Sequence, residues 1–164
     1  MVRCWLLQSP ARQGVPFFMN RLCFCVALTL LSLPALAQPL VVEDAWVRAM
    51  PPTQRMTAAY MRLTNAGNEA VEVRGVTALG AGEASIHATR REGDQVRMEA
   101  LDSLTVAGGE TVQLQPAGLH IMLMGLERMP AVGETLELCL ETNAGRQCLN
   151  AEVRRDAPGG HDHH

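Results

Sequence analysis

Between residues 40 and 153, this 164-residue chain has almost no apolar spacing of helical period. Short runs instead alternate apolar and polar side chains and are broken by Gly, Pro or Asn, the signature of an all-β sandwich or barrel. The alternation predicts strands over 40–48, 56–64, 69–77, 84–90, 95–100, 110–115, 119–124, 134–141 and 146–153. Turn signals fall between them at Pro51-Pro52, Asn65-Ala66-Gly67-Asn68, Gly80-Ala81-Gly82, Gly93-Asp94, Gly108-Gly109, Pro116-Ala117-Gly118 and Gly133. No internal repeat or linker divides the region, so a single β domain over residues 38–155 is expected.

What precedes it reads as a leader. Met19-Asn20-Arg21 opens a basic segment, Leu22 to Leu33 is apolar, and Ala35-Leu36-Ala37 is a small-x-small cleavage pattern. Residues 1–37 are therefore expected to be an upstream extension plus a cleaved signal peptide whose true start is Met19, leaving Gln38 first in an exported product. The apolar run is too short for the roughly 20 residues that span a bilayer. Cys23 and Cys25 lie inside the run and not just after a cleavage motif, so a stable membrane anchor is not expected. Beyond residue 37 the chain has eleven arginines, no lysine and seventeen carboxylates, a net charge of about −6. That balance argues against nucleic acid, which calls for a basic face.

Two cysteines remain in the exported part, where disulfides persist. A hairpin centred between Asn143 and Ala144 would put Cys139 opposite Cys148, at a separation a disulfide can bridge. A structural disulfide is the first reading. A second, thiolate metal site is the rival, although no His or third Cys lies nearby in sequence.

His87, Met98, His120 and Met122 carry the chemistry. Thioether sulfur is a soft donor suited to Cu(I), and imidazole suits copper in either oxidation state. In Leu119-His120-Ile121-Met122-Leu123-Met124, alternation sends the aliphatic residues to one face and His120, Met122 and Met124 to the other. His120 and Met122 would then project together, about 6.5–7 Å apart along the strand. A turn across Arg91-Glu92-Gly93-Asp94, centred between Glu92 and Gly93, would place His87 directly opposite Met98. Each His–Met pair is thus expected from local β geometry, and the fold must bring the two pairs together. Taken singly, a methionine is more often core filler, and a strand histidine is more often a surface residue.

The pattern His-x10-Met-x21-His-x-Met resembles the signature of the periplasmic copper(I) chaperones called PCuAC, the DUF461 family. Val42-Glu43-Asp44-Ala45-Trp46, Ala58-Ala59-Tyr60 and His120-Ile121-Met122-Leu123-Met124-Gly125-Leu126 agree with it, and the similarity covers about residues 40–153. The resemblance implies a cupredoxin-like Greek-key β-sandwich or barrel that binds one Cu(I) through His87, Met98, His120 and Met122. It further implies a role in copper homeostasis or in delivery to copper acceptors of cytochrome c oxidase assembly, namely subunit II and Sco-type proteins; a monomer is expected. Some relatives carry a Met two residues after the first His, where this chain has Thr89, and Cys139 and Cys148 are not part of the signature.

Residues 156–164 read as a disordered tail. Its His161, His163 and His164 form a candidate accessory Cu(II) site, against the plainer reading of a solvated tail with adventitious affinity. Met50, Met56 and Met124 are candidate rim residues or, more simply, core packing and loop cover. Two other classes compete with a chaperone. A copper electron-transfer protein of the blue-copper type would need a Cys thiolate beside two His, and neither Cys139 nor Cys148 stands near the His/Met cluster in sequence. A secreted, metal-independent binding module would leave the quartet without a role. No nucleophile–base or paired-carboxylate pattern points to an enzyme.

Overall fold

The computed structural model describes residues 39–93 and 95–156. The expected leader over 1–37 and the histidines His161, His163 and His164 lie outside the described residues. Ten strands run in chain order: β1 Leu40–Arg48, β2 Met56–Asn65, β3 Val71–Ala78, β4 Glu83–Glu92, β5 Gln95–Leu101, β6 Leu104–Val106, β7 Thr111–Leu114, β8 Leu119–Met124, β9 Thr135–Thr142 and β10 Gly145–Arg154. Nine match the expected strands to within two residues at either end. The tenth, β6, is three residues long, too short for alternation to reveal.

The strands form one sheet in the order β5-β4-β8-β7-β2-β1-β10-β9-β3-β6, with β8 also paired to β2, and the sheet curls into a nearly closed barrel. β1 joins the two halves of the sheet, antiparallel to β2 and parallel to β10. Inward-facing residues of the strands make the core, among them Val47, Met61, Leu63, Ile121, Leu123 and Leu138. Each large aliphatic side chain buried this way stabilises the fold by about 1.5–3 kcal/mol. No helix among the described residues is long and apolar enough to cross a membrane.

Polar anchoring is concentrated at the end of β2. Asn65 is fully buried; its amide Nδ2 donates to the carbonyls of Glu69 at 2.7 Å and Val106 at 3.0 Å, while its Oδ1 accepts from Gly67 N at 2.9 Å. Burying an amide is tolerable because its hydrogen-bonding groups are partnered. At the other end of the sheet order, Cys139 pairs with Cys148 across β9–β10 with Cα atoms 4.0 Å apart, and the two sulfurs are bonded. The expected turn centre between Asn143 and Ala144 is the observed one, since Thr142 pairs with Gly145.

One expected register is corrected. The β4–β5 pairing runs out to Glu92 opposite Gln95, which leaves only residues 93 and 94 in the connection. His87 therefore faces Ala100, and Met98 faces Thr89. The expectation assumed a four-residue turn. A two-residue hairpin connection demands left-handed backbone, and Gly93, at φ +62°, supplies it without a Cβ penalty.

Candidate metal centre

Four strands, β5, β4, β8 and the start of β2, present one outward face, and the quartet lies on it. In β4, Ile86 and Ala88 are buried in the core, so His87 points the opposite way. In β8, Ile121 and Leu123 do the same, which turns His120, Met122 and Met124 outward. In β5, the corrected register keeps Met98 on the His87 face but shifts it to a diagonal position, two residues from directly opposite. Cβ atoms on such diagonals lie roughly 7–8 Å apart, within reach of long side chains.

Successive cross-strand rows order this face. Met56, Met124 and Glu83 form the first row, and Ala58, Met122 and Ser85 the second. His120, His87 and Ala100 form the third, and Thr89 with Met98 the fourth. The quartet occupies three consecutive rows. The two imidazoles stand directly opposite each other, with ring centroids 5.8 Å apart and planes inclined by 28°. This His–His pairing across β4 and β8 is what brings the two expected pairs together. It was not derivable from either hairpin alone.

The ring nitrogens are differently prepared. His120 Nδ1–H donates to the carbonyl of Gly118 at 3.0 Å. A carbonyl can only accept, so the proton sits on Nδ1 and the Nε2 lone pair is left for a ligand. His87 Nε2 pairs with Ser85 Oγ at 3.0 Å, and its Nδ1 is buried with no hydrogen-bond partner. An unpartnered buried nitrogen costs about 1–3 kcal/mol, a cost that a bound cation at Nδ1 would remove. Burial, together with the positive charge His120 can carry, holds the His87 pKa below its ordinary value against a smaller opposing pull from Glu83. His87 is thus kept neutral, the form that ligates metal.

The site is graded in exposure. His120 is only 5% exposed, whereas Met98 is 59% exposed at the outer end. Tyr60 lies beside His120, ring centroids 6.5 Å apart, and leans on Trp46 at 4.6 Å. Burial pushes the Tyr60 phenol up, partly offset by the Arg48 guanidinium. A groove bordered by Met50, Met56, Val96 and Pro116 opens over His120, Met98 and Met122.

The donor set fits a soft monovalent ion better than a hard or borderline one. Among the described residues, no three of His, Cys, Asp and Glu gather where they could share a metal. An ion coordinated by four side chains here would draw on thioether sulfur, a donor that favours a soft ion such as Cu(I). The cysteines are bonded to each other, so neither supplies a thiolate. Ser85 is the supporting residue that sequence reasoning missed. Its signal was the period of two that sets it on the same face as His87.

Known proteins share the sequence and the fold. The family model described as "Putative lipoprotein LpqE-like" matches residues 40–153. "Putative lipoprotein Lxx21020" of Leifsonia xyli subsp. xyli is 31% identical over 124 residues, 75% of this chain and 74% of that protein. The solution structure of the Cu(I) form of DR1885 from Deinococcus radiodurans is 36% identical, with a TM-score of 0.61 over 77% of this chain and 85% of that one. The copper-bound PCuAC domain of PmoF2, at 22% identity and a TM-score of 0.61, covers 73% of this chain and 94% of that one, and it supports the cupredoxin-like fold alone. With a family match over residues 40–153, nearly the whole described sheet, this chain belongs to the LpqE-like family.

Proposed function

We propose that this protein is a PCuAC-type copper(I) chaperone of the periplasm that binds one Cu(I) through His87, Met98, His120 and Met122. The observation that carries the reading is the register of His87 against His120, with Met122 and Met98 in the rows on either side. Similarity to the Cu(I) form of DR1885 supports it, and kinship with proteins described as lipoproteins supports export.

Four neutral donors leave the ion's own charge uncompensated and use no free thiol, which would be lost to disulfide formation outside the cytoplasm. The buried His120 anchors the inner side of the site, and the exposed Met98 is the ligand an acceptor reaches first. Stepwise ligand exchange, beginning at Met98, would pass the ion to an acceptor without releasing it. The acceptors proposed are those of cytochrome c oxidase assembly, subunit II and Sco-type proteins. The histidines His161, His163 and His164 are proposed as an accessory Cu(II) site.

Anaerobic Cu(I) titration tests the site. The wild type is expected to bind one tight equivalent, and the His87→Ala, Met122→Ala double variant to lose it. An unchanged affinity in that variant would eliminate the quartet. Delivery is tested separately by mixing the loaded protein with an apo acceptor and measuring where the copper resides. Copper retained wholly by this protein would rule out direct handover.

A further inference from the structure

Two methionines outside the quartet share its face in a way core packing does not explain. Met56 and Met124 are directly opposed across β2 and β8, in the row next to that of Met122. Opposed side chains on one sheet face have Cβ atoms about 4.5–5.5 Å apart, close enough for two thioethers to share one ion. Met56 is 48% exposed, although an outward strand position at the mouth of a groove ordinarily carries a polar residue. Met50, 38% exposed in the connection after β1, borders the same groove. The exposed carboxylate of Glu83 closes the row on the far side of Met124, and a negative charge there favours a cation.

We propose that Met56 and Met124, with Met50 as a third thioether, form a second Cu(I) site one row from the quartet and sharing none of its ligands. Thioether donors without imidazole make it selective for a soft monovalent ion. They also make it the weaker of the two sites, filled after the quartet. Its position, one strand repeat of about 6.5–7 Å from Met122, allows copper to step between the sites by ligand exchange. The inference rests on the copper(I) reading of the quartet.

The test is an anaerobic Cu(I) titration of the full chain, followed by the NMR signals of the methionine ε-methyl groups. The first equivalent should shift Met98 and Met122, and the second should shift Met56, Met124 and Met50. A Met56→Leu, Met124→Leu variant, which keeps side-chain volume on an exposed face, should lose the second set of shifts and keep the first. The second site is overturned if the Met56 and Met124 signals stay fixed while a second equivalent binds elsewhere, or if the protein saturates at one equivalent. It is equally overturned if the double leucine variant still binds the second ion within the groove. A first equivalent that leaves Met98 and Met122 unmoved would instead count against the quartet, a separate and distinguishable failure.

Discussion

His87 and His120 face each other across β4 and β8 with their rings 5.8 Å apart, each held by a hydrogen bond from its own strand's neighbourhood. Ser85 Oγ meets Nε2 of His87, and the Gly118 carbonyl accepts from Nδ1 of His120. Both rings are therefore oriented before any ligand arrives, the condition that a shared metal ion would require.

Replacing His87 by Ala should therefore separate binding from folding. Loss of a first ligand is expected to weaken Cu(I) binding by at least about 100-fold, beyond the 10–100-fold typical of supporting residues. Stability of the metal-free protein should hold or rise slightly, because the unpartnered Nδ1 disappears with the ring. Competition with a Cu(I) chelator and a thermal melt of the metal-free variant measure the two quantities. A large fall in Tm alongside lost binding would mean that His87 is structural.

Ser85→Ala probes orientation alone. The substitution leaves all four donors in place but frees the His87 ring from its 3.0 Å contact. A loss of roughly tenfold in Cu(I) affinity is expected, with Ser85→Thr restoring most of it because the hydroxyl is retained. Equal affinities in all three proteins would show that ring orientation is set by packing.

The pH dependence follows from the lowered His87 pKa. In the unfolded chain this histidine takes up a proton near 6.5, but in the native protein it does so only at lower pH. Between those two values the unfolded state binds more protons, so native stability falls as pH drops through this window and is fully present above it. Proton competition from His87 for copper should likewise set in only below the same ordinary value. The imidazole NMR signals of His87 in the metal-free protein, followed against pH, check this. A His87 midpoint at or above the ordinary value would mean that the ring is not held neutral.

Much of this was legible in the sequence because strands write their two faces with period two. The faces of His87, His120 and Met122 followed from their aliphatic neighbours, and the disulfide followed from the symmetric spacing of Cys139 and Cys148 about one turn. The failures have two causes, one local and one global. Whether a hairpin closes through two residues or four depends on one backbone angle at Gly93, and that choice moved Met98 from opposite His87 to its diagonal. The adjacency of β4 and β8, strands separated by three intervening elements, is set by the whole barrel. No local pattern encodes the His87–His120 pairing it creates.

The disulfide offers a control for every copper experiment. Cys139 and Cys148 lie on β9 and β10, separated in the sheet order from the site strands β4 and β8 by β2, β7 and β1. The bond closes a loop with a sequence separation of 9, and removing that constraint from the unfolded chain is worth about 2.5 kcal/mol in the chain-entropy picture. The paired Cys139→Ser, Cys148→Ser variant should lose about that much stability, or on the order of 10 °C in Tm. Burying the serine hydroxyl that Cys139→Ser introduces at a 4% exposed position adds a further penalty. Its Cu(I) stoichiometry at a temperature where it remains folded should equal that of the wild type, since neither sulfur is a donor. A variant that folds but binds no copper would show that the β9–β10 staple, and not only the β4–β8 register, holds the site in shape.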